Sequence, residues 1–464
     1  MNDLVFSSAS ELAEAIRSGE LSSVEVLEAY LEQIERHNSA LNAIVTLDAD
    51  GAMAHARAAD KATAIGELWG PLHGVPITIK DAIETAGFRT TVGFPPLADH
   101  VPDRDATAVA RLRAAGAILL GKTNVPELSA DTQTNNPIFG RTNNPWDLER
   151  TPGGSTGGGA AAVAAGLTPV ELGADHAGSL RIPASFCGIC ALKPTEHRVP
   201  TTGHLPPLPG APRAVRHMNT IGPLARTIDD LQLILRIIAG PDEQDWEVPP
   251  VPLVAAPDVL PERLRLAWTA DFGGKLVVAR ETREAMQQLA EQLEALGCRI
   301  YEQTPDDFDV LVGQQAMHQL LVAERNWTRL PEEERDSVET PNMQFYSSTL
   351  DRRDALSAAL TAFLGRWDAL LCPTTAGPAF YHCPTGADLS IDDQTVPHWM
   401  ATVAFNSSFS VTGVPVVSLP LALNEAGLPL GLQVVGRHWS DGRLLAIARL
   451  LSRVACSTPR PPGY

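Results

Sequence analysis

Apolar residues recur at helical spacing near the start of the chain. Leu27, Tyr30, Leu31 and Ile34 fall on one face, and Ser22 with Glu25 three positions on makes a capping box. Residues 1–40 therefore read as an N-terminal helical segment. Beyond it, short β-like runs trade places with amphipathic ones. Val75–Lys80 reads as a strand, Thr107–Ala115 as a helix and Ala117–Leu120 as a strand again. The Ala/Gly-rich run Gly157–Gly166 is helical in composition, and Val170–Leu172 returns as a strand. Thr227 caps a helix through Ile238, and Leu264–Trp268, a helix near Glu281–Leu296 and Arg299–Glu302 continue the alternation. Val414–Leu423, Gly431–Val435 and a helix near Arg443–Val454 close it. Strands interleaved with helices predict an α/β fold around a covered sheet. The Pro-rich stretch Pro241–Pro261 is the best linker candidate, and it reads better as a surface crossing within one domain.

Length and composition fit this picture. A chain of 464 residues with 44% hydrophobic and 20% charged positions has the makeup of a globular protein. The net charge of -19 argues against nucleic acid or an anionic membrane as partner, since both would repel such a surface. The N-terminus lacks the basic and apolar regions of a signal peptide, and no apolar run reaches membrane-spanning length. A cytoplasmic location is the expectation. The six cysteines do not make a disulfide framework. Cys187 and Cys190 form a C-x-x-C without a second pair to complete a zinc site, so two ordinary buried thiols are expected.

Two motif matches fail on context. Gly116-Ala-Ile-Leu-Leu-Gly121-Lys122-Thr123 fits the P-loop pattern. Phosphate binding needs converging N–H groups and then a helix, whereas Ala-Ile-Leu-Leu favours a buried strand. Gly153-Gly154-Ser155-Thr156-Gly157 fits the nucleophile elbow of α/β-hydrolases. That reading demands a downstream acid and histidine, and His382, His398 and His438 are candidates by position only.

The chemistry concentrates in two blocks. One is Arg150-Thr-Pro-Gly-Gly-Ser155-Thr156 with the glycines and alanines through Gly166. The other is Leu172-Gly-Ala-Asp175-His-Ala-Gly-Ser179-Leu-Arg181-Ile-Pro183. Glycines before a helix present free N–H groups at its N-terminus, and Ala177-Gly178 before Ser179 can aim several at one oxyanion. Taken alone, the same glycines serve equally well as tight turns and close packing.

Together these blocks resemble the amidase signature family. Gly153–Gly166 is similar to its Gly/Ser-rich signature and Gly173–Pro183 to the nucleophile segment, with Ser155 and Ser179 24 positions apart as in the family. Pro71-Leu-His-Gly-Val-Pro-Ile-Thr-Ile-Lys80-Asp81 resembles the lysine segment. Gly121–Glu127, Phe139–Pro145, Leu371–Thr375, Thr412–Ser418 and Gly431–Gly436 resemble further blocks, in order across nearly the whole chain. The resemblance implies a single large domain over residues 1–464, a central mixed sheet covered by helices on both faces.

It also implies a Ser-cisSer-Lys triad. Ser179 is the nucleophile, Ser155, cis to Gly154, relays the proton, and Lys80 is the ultimate base. His176, Ala177, Gly178 and Ser179 supply the oxyanion hole. No metal or organic cofactor is implied. A lysine acts as a base near neutrality only well below its ordinary pKa of ~10.4, which burial achieves. Lys80 shares a strand face with Thr78, opposite Ile77 and Ile79. Without the family pattern it reads better as a lysine snorkelling from a strand end. Asp175 and Arg181 flank Ser179 and can pair to fix the loop.

Four positions depart from the family: Thr156 for a second serine, Ala174 for Ser or Thr, His176 for a small or aliphatic residue, and Ala177 for glycine. Ala177 makes unusual φ angles harder, which bears on the hole. His176 invites a Ser–His reading, but Lys80 already fills the base role, so a place in the pocket wall is preferred. The implied reaction is acyl transfer from small-molecule amides, with anilides, aryl amides, carbamates (urethanes) or esters as variants, by a monomer or homodimer. The pocket is expected from Asp131–Phe139, Met317–Phe345 and Thr375–Phe409, with Trp327, Phe345, Tyr346, Phe380, Tyr381, Trp399 and Phe405 in or near it. The alternative is the glutaminase (A) subunit of a tRNA-dependent amidotransferase. Its nucleophile segment commonly continues Ile-Arg-Gln-Pro, where this chain has Leu180-Arg181-Ile182-Pro183.

Overall fold

The alternation of side chains along each strand decides which helices cover which face. In the computed structural model, which describes residues 4–210, 215–326, 342–455 and 460–464, eleven strands pair into one sheet. In chain order they are β1 (Ile44–Leu47), β2 (Pro76–Lys80), β3 (Ile118–Thr123), β4 (Val170–Asp175), β5 (Cys190–Lys193), β6 (Thr220–Ala225), β7 (Arg265–Trp268), β8 (Arg299–Glu302), β9 (Ala369–Pro373), β10 (Val416–Leu423) and β11 (Pro429–Val435). Across the sheet they run β1-β3-β2-β4-β6-β5-β10-β11-β9-β7-β8. β2 is parallel to β3 and β4, and β7 is parallel to β8 and β9, while the remaining pairs are antiparallel. The sheet is mixed, as expected.

Ile77, Ile79, Leu172, Leu192, Val417 and Leu371 point to one face. There they meet Ala9–Ser18, Thr107–Ala114, Ile228–Ile238, Arg280–Ala295 and Asp441–Leu451. Their neighbours Leu370, Cys372, Val416 and Val435 point the other way, against Val310–Leu320, Met343–Leu364 and Ala404–Val411. Each such side chain contributes on the order of 1.5–3 kcal/mol by leaving water. A one-residue slip would turn both sets outward, so register is firmly held.

The N-terminal helices Ala9–Ser18 and Ser23–Leu41 both start with capping boxes, on Ser8–Glu11 and Ser22–Glu25. Thr227 caps Ile228–Ile238 through the Asp230 N–H. Between Pro241 and Leu260 no helix or strand forms, and Leu253 and Ala256 rest on the main core, so this stretch crosses the surface of the same domain. Some elements carried no periodic signal. β6, Thr-Ile-Gly-Pro-Leu-Ala, is buried on both faces and shows no alternation. The helix Ala49–Ala64 buries only alanines, at 52, 56, 59 and 62. β3 runs on past Leu120 through Thr123 because its polar end is buried too.

Candidate active site

Lys80 is the last residue of β2 and is 1% exposed. Its ammonium donates to Ser155 Oγ at 2.7 Å and to the Ala174 carbonyl at 3.3 Å. Ser155, equally buried, follows Gly154 through a cis peptide bond just before the helix Gly157–Ala164. A Cβ on Gly154 would sit 2.5 Å from the Asp131 carbonyl oxygen, so that strip of backbone leaves room for glycine alone. Thr156 ties the two serine segments together. Its N–H donates to the Ser179 carbonyl at 3.2 Å and its hydroxyl to the Ala174 carbonyl at 3.2 Å. Threonine therefore keeps a hydroxyl contact that a serine would make.

Ser179 is half-buried, on the loop between β4 and the helix Arg181–Cys187. The loop is shaped by Asp175, whose carboxylate accepts from Gly178 N–H at 2.8 Å, Leu180 N–H at 3.0 Å and Arg181 at 2.9 and 3.0 Å. Burial works to raise this carboxyl, and the Arg181 guanidinium with the surrounding donors overcomes it and holds the acid well below its usual range. Arg181 in turn donates to Gln433 Oε1, Ser410 Oγ and the Asn406 carbonyl. These last partners are far off in sequence, and nothing in the loop itself announced them.

One of the N–H groups expected to form an oxyanion hole has a partner within the loop. The Gly178 N–H donates to Asp175 Oδ1 at 2.8 Å. Gly178 has φ +115°, and a Cβ there would meet Ile182 and Asn406 at 2.8 and 2.9 Å. Ala177 does not take a left-handed φ, and it packs its methyl against the second core while lining the cavity.

Lys80, Ser155, His176 and Ser179 line a narrow recess with His204 and Asn219. His176 and Ser179 also line an adjoining cavity of about 640 Å³. Its walls are Ile182, Leu311, Met317, Leu321, Trp399 and Val403, with Asp131, Gln314, His318 and His398 among the polar residues. His398 shares a 2.6 Å hydrogen bond with the Thr132 hydroxyl.

Among the described residues of the expected aromatic wall, only Trp399 lines this cavity. Phe380 and Tyr381 line a separate 320 Å³ pocket, with Arg150 stacked 3.9 Å from the Tyr381 ring. Phe405 is buried in the second core, Tyr346 donates to Glu324, and Phe345 lies in the first turn of a helix away from the cavity. Trp327 lies outside the described residues. The three expected segments do contribute, through Asp131 and Thr132, Met317 and His318, and His398 and Val403, and the helix Val310–Leu320 adds Leu311 and Gln314 just before Met317.

The rejected motifs are placed too. Lys122 of the P-loop match is buried in β3, donating to the Ile83 carbonyl, Thr85 and Thr90. Cys187 and Cys190 are free buried thiols with different carbonyl partners, and burial pushes the Cys190 thiol up to about 12. Among the described residues no helix is long and apolar enough to cross a membrane.

Comparison with known proteins gives the same answer over the whole length. A model of the amidase family, described as Amidase, matches residues 25–330 and 322–445. The chain belongs to the amidase signature family, hydrolases that act on amides. It is 33% identical to an acylamidase of Rhodococcus erythropolis, over 95% of this chain and 94% of that protein. It is 35% identical to the A subunit of the glutamyl-tRNA(Gln) amidotransferase of Roseiflexus sp. (strain RS-1), over 98% and 97%. The solved structure of 6-aminohexanoate cyclic dimer hydrolase with substrate superposes with a TM-score of 0.84 at 29% identity, covering 99% of both chains. The mixed sheet and its two helical layers are thus those of this amidase family.

Proposed function

We propose that this amidase is a stand-alone serine hydrolase with Ser179 as nucleophile, Ser155 as relay and Lys80 as base. The observation that carries the reading is the 2.7 Å hydrogen bond between Lys80 Nζ and Ser155 Oγ, in the recess that Ser179 also lines. An uncharged Nζ keeps one N–H on the Ala174 carbonyl and turns its lone pair to the Ser155 O–H. Ser179 Oγ attacks the carbonyl carbon and gives its proton to Ser155 Oγ, whose own proton passes to Lys80. N–H groups of the 176–179 loop other than Gly178's receive the oxyanion. The C–N bond then breaks as Lys80 returns a proton through Ser155 to the leaving amine. Water attacks the acyl-enzyme by the same route, releasing the acid and restoring Ser179.

The mainly apolar 640 Å³ cavity suits an uncharged acyl or aryl group. Anilides, aryl amides, aryl carbamates and esters have that chemistry. The second reading, a glutaminase subunit, is favoured by the 35% identity to the Roseiflexus amidotransferase chain. Glutamine would bring an ammonium and a carboxylate to the pocket, yet Ile182, the residue after Arg181, offers it an apolar wall. Hydrolysis of a matched nitroanilide, nitrophenyl ester and aryl carbamate by wild type, Ser179→Ala and Lys80→Ala tests the proposal. Ser179→Ala should abolish all three activities. Lys80→Ala should lose amide turnover far more than ester turnover, because only the amine needs a returned proton. Near-wild-type turnover by Ser179→Ala would sink the mechanism, and ammonia release from glutamine with none from the panel would favour the glutaminase reading.

A further inference from the structure

A buried glutamate crosses the strand that carries Lys80. Thr123 stands on β3 and Glu171 on β4, with β2 between them. Thr123 Oγ1 nevertheless donates to Glu171 Oε1 at 2.5 Å. Neighbouring strands lie about 4.8 Å apart, so the glutamate has to reach over β2 to accept that bond. On the face it crosses, β2 presents Thr78 and Lys80. Thr78 is in register with Glu171, and Lys80 is in register with Thr123. The carboxyl therefore lies beside the stem of Lys80, on the side from which Lys80 reaches Ser155.

The surroundings enclose it. Glu171 and Thr123 are wholly buried, and the helix Gly157–Ala164 closes over them. A Cβ on Gly159 would sit 2.4 Å from Glu171 Cγ, so this helix is glycine where the glutamate passes. Among the described residues Glu171 Oε2 makes no well-formed hydrogen bond, although the Thr78 hydroxyl lies close enough to act on the carboxyl. A carboxyl enclosed in this way is costly as an anion, and glutamine of the same shape would satisfy Thr123 equally well.

We propose that Glu171 is a positioning residue for the base: its carboxyl, laid across β2, sets how readily Lys80 takes up a proton. This rests on the reading of Lys80 as base. During each turnover Lys80 passes from amine to ammonium and back. A carboxylate alongside favours the ammonium, and a neutral carboxyl releases the amine. Burial pushes the Glu171 carboxyl up to about 7, against the Thr123 and Thr78 hydroxyls and the Lys122 and Lys80 ammonium groups. Both of its forms are therefore within reach near neutral pH.

The other charges near it are few. Lys122 is in register with Ile79, so its side chain leaves β3 on the opposite face, near Asp81, Glu84 and Asp105, and its ammonium still acts on Glu171 alongside that of Lys80. β6 offers Leu224 in register with Glu171, and Gly157–Ala164 brings only glycine, alanine and valine.

The test compares the pH dependence of kcat/KM on a nitroanilide for wild type, Glu171→Gln, Thr123→Val and Lys80→Ala. Losing the negative charge weakens the hold of Lys80 on its proton. The acidic limb of Glu171→Gln should then move to lower pH by roughly one unit, the low end for an opposite charge at this range. Thr123→Val removes a donor that favours the carboxylate, so its limb should move the same way by less. Should Glu171→Gln not fold, Thr123→Val alone carries the test. Acidic limbs that coincide with wild type, at whatever reduced kcat, would make Glu171 structural filling and overturn the proposal. Lys80→Ala that keeps amide turnover would instead overturn the lysine mechanism beneath it.

Discussion

Asp175 and Arg181 stand on either side of Ser179 and bond to each other at two points, 2.9 and 3.0 Å, with neither side chain exposed to solvent. The pair converts a loop into a fixed platform for Ser179. Two parallel N–H···O bonds set direction as well as distance, and the same carboxylate also draws in the N–H groups of Gly178 and Leu180.

Breaking that pair from one side strands a buried charge. Arg181→Met should cost about 3–5 kcal/mol of stability, read from the urea midpoint. Its activity should fall further than the stability loss explains, because the Ser179 loop loses its anchor. A variant with an unchanged midpoint would show that the surroundings rehydrate Asp175.

Gly178 tests the loop from within. Alanine there has to hold φ +115° and push against Ile182 and Asn406. Gly178→Ala should fold with a loss of about 1–3 kcal/mol and lose amide turnover by about 100-fold, because the shifted loop misplaces the other N–H groups proposed to receive the oxyanion. Steady-state kinetics beside a thermal melt checks both. Wild-type kcat would mean that the loop relaxes without disturbing the hole.

The 640 Å³ cavity makes a size prediction. Leu311→Trp narrows it from the helix Val310–Leu320 without touching Lys80, Ser155 or Ser179. Selectivity should shift by roughly 10-fold or more toward small acyl groups over bulky aryl ones, since overpacking by a few atoms costs about 1–3 kcal/mol. Equal loss on acetyl and naphthoyl anilides would place the acyl site elsewhere.

Glu171 also predicts a pH dependence of folding. Its carboxyl titrates at about 7 in the folded chain, above the ~4.3 of a free glutamate. Between those values the folded state holds a proton that the unfolded state has released. The stabilisation is fully present below about pH 4 and is lost as pH rises through about 7. Glu171→Gln should therefore gain on wild type in urea midpoint between about pH 5 and pH 8. A constant difference across that range would show that the carboxyl stays neutral or finds another partner.

Much of the site was legible along the chain because its parts are local. Lys80 ends an alternating strand, Ser155 sits in a glycine cluster before a helix, and Ser179 follows Asp175-His-Ala-Gly, so each segment has its own pattern. The same holds for the capped N-terminal helices and for the strands whose two faces alternate. Fold class and the candidate triad follow from those local patterns and the family resemblance. The substrate cavity was much less legible. Aromatic residues near the right segments proved to be core, as with Phe405, or to belong to another pocket, as with Phe380 and Tyr381.

What the sequence by itself determined is therefore the α/β architecture, the family and the residues on which catalysis is proposed to rest. These depend on periodicity and spacing, which a linear chain records. Only the tertiary structure decided that the Gly178 N–H is spent on Asp175, that Arg181 is held by Gln433 and Ser410, and that Glu171 reaches over β2 to Thr123. Each is a contact between side chains or backbone groups whose meeting depends on strand order, register and the packing of a helix on the sheet. Spacing along the chain carries no trace of it.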